Sequence, residues 1–167
     1  FAWQIYCDFS GYSDIARGLC KIMGFDLIVN FRVPFLACNL SDFWNRWHIS
    51  LSKWFRDYLY IPLGGSQVEF PKVIRNIFIV FLLSGLWHGA DYYFIVWGAL
   101  HGIGLALLVS SQAMRAKIFH FFPSKMAGYF SRILTFHFVV LTFALWRSDG
   151  VVRWWKIMQK IVFDWDI

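Results

Sequence analysis

The sequence predicts an all-α, polytopic transmembrane protein with amphipathic helices lying at the membrane interface. Three observations carry that prediction. With 59% hydrophobic and 22% aromatic residues, ten Trp and nineteen Phe among them, the chain has more apolar surface than an ordinary soluble domain buries. The stretch Asn76 to Ser110 is mostly apolar yet carries His88, Asp91 and His101. As one helix, rising about 1.5 Å per residue, it would reach roughly 50 Å, past a hydrocarbon core of about 30 Å, so it must break. The third observation is negative: the alternation of period two that a barrel strand needs is missing throughout. The net charge of +6 is scattered among Trp and Leu, which suits positive loops beside spanning helices and not a nucleic-acid face. The 167 residues show no internal repeat and read as one membrane domain, 1–167, of a larger membrane protein, since Phe1 opens the chain with neither Met nor a charged leader.

Taken in order, Phe1 to Phe9 is aromatic and apolar until Asp8, and Ser10, Gly11, Ser13 and Asp14 supply turn and cap chemistry for a helix that Gly24 ends. Ile15, Ala16, Leu19, Ile22 and Met23 line one face and Asp14, Arg17 and Lys21 the other, as in an interfacial anchor. Cys7, Cys20 and Cys38 are odd in number and fit neither a metal pair nor a disulfide framework, so they read as small buried side chains. After Asn30, Arg32 and Pro34, the residues Ser41 to Tyr60 predict one continuous amphipathic helix with Ser41 as its cap. Trp44, Trp47, Leu51, Trp54, Phe55 and Tyr58 form its apolar stripe. Asn45, His48, Ser52 and Arg56 recur at spacings of three and four, a line able to grip a polar ligand. Spacing alone favours a plainer role, basic residues at headgroup level beside a tryptophan belt. Pro62, Gly64, Gly65 and Ser66 then form a loop, and Lys72 and Arg75 flank the next span.

Gly89, Ala90 and Asp91 are the expected break in the long apolar stretch, leaving spans Ile74 to Ala90 and Tyr92 to Ser111. Ser84, His88 and Asp91 would fall on one helical line. An ionisable group placed there is costly, hence a functional candidate, though many such histidines merely bond a neighbouring helix. Gly98, Gly102 and Ala106, four apart, suit close helix packing, and His101 among them reads as a packing histidine. Gln112 to Arg132 carries Arg115, Lys117, Lys125 and Arg132 without an acid, the bias of a cytoplasmic loop. Gly128 to Trp146 is a third span, containing His137 and able to let Arg132 snorkel. Arg147 to Ile167, with Trp154, Trp155 and Trp165, reads as interfacial. The spacing of His88 and His101, with no Cys or Glu beside them, is not that of a metal pair.

Three stretches in this order, YCDFSGYSDIARG (Tyr6 to Gly18), DFWNRWHISLSKWFRDYLYIPLGG (Asp42 to Gly65) and SGLWHGADYYFIVWGALHG (Ser84 to Gly102), resemble the membrane-bound O-acyltransferase family. The resemblance is to its bacterial branch, which acetylates extracellular polysaccharide such as alginate. It implies the central and C-terminal part of a member, without the earlier spanning helices, and a multi-helix fold around a tunnel where acyl donor and hydroxyl acceptor meet. His88 in LWHG matches the family's catalytic histidine, and His48 in RWHIS a second functional one. Asn45, Trp47, Ser52 and Arg56 are then candidates for orienting the substrate.

The chemistry suits these residue types, because a neutral imidazole takes the hydroxyl proton and a donor neutralises the oxyanion. With no serine elbow or CoA-type glycine loop, no bound cofactor is expected, and the donor would be acetyl-CoA or an acyl carrier brought by a partner. The implied setting is multi-pass in a bacterial inner (plasma) membrane, with the lipid bilayer, a polysaccharide or other hydroxyl acceptor and periplasmic acyltransferase proteins as partners, and no nucleic acid. Two other functions stay open: a transporter or flippase segment in which His88, Asp91 and His101 relay protons, and a structural subunit.

Overall fold

The computed structural model describes residues 1–120 and 123–163, and among them every regular element is helical. Eight α-helices follow in order: α1 (Ala2–Ile22), α2 (Leu40–Trp44), α3 (Ile49–Phe55), α4 (Phe70–His88), α5 (Tyr92–Ser110), α6 (Gln112–His120), α7 (Ser124–Arg147) and α8 (Val151–Phe163). A 3-10 turn at Pro34–Leu36 precedes α2, and a π-helical turn at Arg56–Tyr60 extends α3. Three helices, at Phe70–His88, Tyr92–Ser110 and Lys125–Arg147, are long and apolar enough to cross a membrane.

The hairpin of α4 and α5 positions the rest. Its break falls where Gly89 breaks the pattern: α4 ends at His88, Gly89 is extended (φ 170°, ψ 161°), and Asp91 precedes α5 in an extended conformation. Asp91 therefore lies beyond the helix, and the expected line of Ser84, His88 and Asp91 is reduced to its first two members. Gly85 and Gly98 face each other across the hairpin; a Cβ on Gly85 would run into the Phe94 carbonyl, and one on Gly98 into the Phe81 carbonyl. Backbone meets backbone there, the contact that small residues at helical spacing allow. The opposite face of α5 meets α2 and α7, where a Cβ on Gly104 would crowd Leu40 Cδ1 at 2.6 Å and Phe138 Cζ at 2.9 Å. Phe43, Trp97, Val139, Phe143 and Leu145 fill the core between these helices.

The segment Ser41 to Tyr60 departs most from expectation. It is broken at Asn45–His48, and its cap is Asn39, whose Oδ1 accepts from Asp42 N at 2.9 Å, not Ser41. A count of backbone bonds explains the break. In a continuous helix Ile49 N–H would bond the Asn45 carbonyl and Ser50 N–H that of Arg46. Instead Ile49 N donates to Asn30 O (3.0 Å), Ser50 N to Asn30 Oδ1 (2.9 Å), and Arg46 O accepts from Arg32 N (2.9 Å). The incoming connection thus takes the bonds that the helix would have used.

Other expectations shift as well. α1 begins at Ala2 instead of at Ser10 to Asp14, because Ala2, Ile5 and Tyr6 pack on the core and tertiary burial outweighs turn chemistry. Its Ile15, Leu19, Ile22 and Met23 face outward. Cys7 is exposed and Cys20 and Cys38 are only half-buried, so the three are not core side chains. The basic stretch expected as a loop is largely helical, forming α6 and the first turns of α7. Asp149 and Gly150, both at positive φ, turn the chain into α8, which Trp154 ties to α7 by donating from Nε1 to Leu141 O at 2.8 Å. Trp165 lies outside the described residues.

Candidate active site

His88 ends α4, so its ring lies at the turn that joins α4 to α5. Trp146 of α7 lies against it at 4.7 Å between ring centroids, Trp97 of α5 at 5.2 Å and the adjacent Trp87 at 4.9 Å. The rings of His48, His101 and His137 each have a hydrogen-bond partner, whereas among the described residues His88 has none. An imidazole walled by indoles with both nitrogens uncommitted is placed to act on something that arrives.

His48 sits in the break between α2 and α3 with left-handed backbone angles, φ 43° and ψ 55°. A non-glycine residue pays for that conformation, and the Asn30 and Arg32 bonds to the flanking residues hold it there. Its ring stands edge-on to Phe9 at 4.7 Å and reaches Trp87 at 6.2 Å. Trp87 thus lies against both histidine rings. Burial pushes the His48 imidazole down to about 4, so it is neutral at ordinary pH. Ser50 Oγ, 3.4 Å from His48 Nδ1, gives its own proton to Asn30 Oδ1 at 2.8 Å. Ser50 is left to accept, which favours the proton on Nδ1 and a free lone pair on Nε2.

Asn45, Ser52 and Arg56 do come together, although the helix that was to align them is broken. With Ser84, one turn before His88, they supply polar groups to a cavity of about 300 Å³ whose walls include Trp44, Phe81 and Leu105. A neighbouring cavity of about 280 Å³ shares Asn45, Ser52 and Arg56 and adds Arg32 and Lys53. Arg56 Nε is bonded to Asp57 at 2.8 Å and Ser52 Oγ to the Trp47 carbonyl at 3.2 Å, leaving the remaining guanidinium donors of Arg56 and the amide of Asn45 for a ligand. His48 and His88 line neither cavity. Trp47 is 4% exposed and stacks on Phe43 at 5.6 Å, so it belongs to the core that carries His48.

His101 is fully buried, and Thr142 identifies its tautomer. The Thr142 hydroxyl donates to Val139 O (2.9 Å), so it accepts from His101 Nε2–H, also at 2.9 Å, and Nδ1 is left unprotonated.

The sequence pattern of the MBOAT, membrane-bound O-acyltransferase family matches residues 1–145. The chain belongs to this family. It is 53% identical over 166 residues to a probable alginate O-acetylase of Azotobacter vinelandii, covering 98% of the chain and 32% of that protein. It is 42% identical over 163 residues to a peptidoglycan O-acetyltransferase of Helicobacter pylori (97% and 30%), and 32% identical over 156 residues to a teichoic acid D-alanyltransferase of Bacillus subtilis (89% and 39%). The chain spans about a third of the length of these relatives.

The matched region ends one residue before Trp146, so it contains both motif histidines and the whole α4–α5 hairpin. Trp97 and Trp146, the two rings of α5 and α7 that enclose His88, are residues that the sequence did not single out. Trp146 had a faint signal, lying in the Leu145-Trp146-Arg147 corner that ends the third span.

Proposed function

We propose that the protein transfers an acyl group, acetyl in the first instance, to hydroxyls of an alginate-like polysaccharide outside the cell, with His88 as the base. The observation that carries this reading is the uncommitted imidazole of His88, walled by tryptophans at a helix end and lying in the family's matched region. Neutral imidazole takes the acceptor's proton as the hydroxyl oxygen adds to the acyl carbon. When the tetrahedral intermediate collapses, the bond to the donor's leaving group breaks and His88 returns the proton to that group. His48, neutral and close by, orients the acceptor through Nε2.

Asn45, Ser52 and Arg56 make the polar side of the adjoining cavity, which suits a hydroxyl-rich or anionic acceptor; Trp47 serves by holding His48. The identity to an alginate O-acetylase favours acetyl and a uronate polymer over the other acceptors for which relatives are named. The donor is acetyl-CoA or an acyl carrier delivered by a partner, and no cofactor stays bound. The setting is a bacterial inner membrane, with the basic helix α6 on the cytoplasmic side and periplasmic acyltransferase proteins downstream. A proton relay along His88, Asp91 and His101 has less support, because Asp91 lies beyond the helix and the Thr142 bond occupies His101.

The test is base-releasable acetate on the exported polymer from cells carrying wild type or His88→Ala at matched membrane levels. Acetate should fall about a hundredfold or more, the usual worth of a general base. Acetylation that survives in His88→Ala but collapses when the proton gradient is dissipated would favour the transporter instead.

A further inference from the structure

Among the described residues, six buried side-chain nitrogens have no hydrogen-bond partner: Nε of Arg17 and Arg115, Nε1 of Trp44, Trp97 and Trp146, and Nδ1 of His101. The two arginines bond through their other nitrogens. The remaining four belong to one cluster of rings: Trp97 lies 5.9 Å from Trp44, 4.7 Å from His101 and 5.0 Å from Trp146. Buried polar groups are nearly always paired, so four unpaired nitrogens on neighbouring rings need an explanation. An indole is no obstacle to pairing in this fold, since Trp154 finds the Leu141 carbonyl at 2.8 Å.

Two of the four, Trp97 and Trp146, also flank His88. An indole N–H only donates, so whatever satisfies it must be an acceptor. Of the two reacting groups in the proposed transfer, the hydroxyl brings a proton, which His88 takes, and the acyl carbonyl oxygen can only accept. We infer that Trp97 and Trp146 are catalytic residues whose indole N–H groups receive the acyl carbonyl oxygen beside His88 and hold its negative charge during transfer. The inference rests on the reading of His88 given above. As the acceptor oxygen adds to the acyl carbon of an activated ester or thioester, the carbonyl π pair moves to oxygen, where the two indoles bind it. On collapse the C=O bond re-forms, the bond to the donor's leaving group breaks, and that group takes the proton from His88. Donors fixed before the charge develops, in a site lined by rings and shielded from water, are those that stabilise it most.

The experiment replaces each tryptophan by 3-benzothienylalanine, which keeps the ring's shape and puts sulfur where N–H stood. It is done in the full-length protein in cells, with base-releasable acetate on the exported polymer as readout at matched membrane levels. Trp146, only half-buried, comes first, and Trp146→Phe and Trp97→Phe serve as second variants should an analogue fail to accumulate. Loss of one donor is expected to lower acetylation about 100- to 1,000-fold. Near-normal acetylation with both analogues would overturn the inference, the indoles then being satisfied by water or left unused. His88→Gln is measured alongside: if it is inactive while the analogues are active, the oxyanion role alone fails, and if it is active, the reading of His88 fails and this inference with it.

Discussion

His88 and His101 are both histidines of the α4–α5 hairpin packed against the same Trp97, at 5.2 and 4.7 Å, and they differ in that His101 has one ring nitrogen bonded and, among the described residues, His88 has none. His101 lies in mid-helix, is sealed on every side, and gives its proton to a threonine that spends its own on a backbone carbonyl. His88 lies at the end of its helix with no partner for either nitrogen among the described residues. Burying an imidazole is costly in both places. At His101 the fold offsets part of that cost internally; at His88 it leaves the bonding capacity open.

The comparison breaks most completely if the hairpin carrying both rings is lost. Gly85→Leu or Gly98→Leu drives a side chain into an opposing backbone carbonyl that cannot move aside, and should cost about 3 kcal/mol or more. Protease-resistant protein in the membrane should fall sharply for either variant. His48→Ala comes next: transfer should drop on the order of a hundredfold with insertion unchanged. If Ser52→Ala and Arg56→Ala together reduce ester formation more than His48→Ala does, the cavity contributes mainly by gathering the acceptor. On the His101 side, Thr142→Val removes the acceptor for a buried N–H and should cost about 1–3 kcal/mol, seen as a lower thermal midpoint with modest change in rate at matched levels.

A further consequence concerns pH. Because burial holds His48 near 4 when its unfolded value is about 6.5, its contribution to stability is fully present above about 6.5 and is lost as pH falls toward 4. Thermal midpoints of wild type and His48→Asn should therefore run parallel above about pH 6.5 and converge below it. Parallel curves down to pH 4 would mean that His48 is not held neutral.

The spans α4, α5 and α7 were legible from hydropathy and the break from Gly89, because lipid-facing helices impose a strong and local pattern. Ser41 to Tyr60 was not. A spacing of three and four survives a short break, so Asn45, Ser52 and Arg56 still converge on one cavity while the backbone between them turns. What breaks the helix is Asn30 and Arg32, which lie far away in sequence and leave no trace in its periodicity. The left-handed angles of His48 are hidden for the same reason. His88 was a candidate from its place in an apolar span and His48 from its polar line, with motif likeness adding their catalytic roles, whereas Trp97 and Trp146 are two among ten tryptophans in a chain where an aromatic residue stands out from nothing. Unpaired nitrogens together with contact to His88 separate them from the rest.

The most direct measurement sets His88→Gln beside His101→Gln in the full-length protein, at matched membrane levels, with base-releasable acetate on the exported polymer as readout. Glutamine can still donate to Thr142 from position 101 but cannot act as a base at position 88. His101→Gln should keep most of the acetylation, while His88→Gln should fall about a hundredfold or more. Near-normal acetylation by His88→Gln, or equal loss in both, would contradict the assignment of His88 as the base.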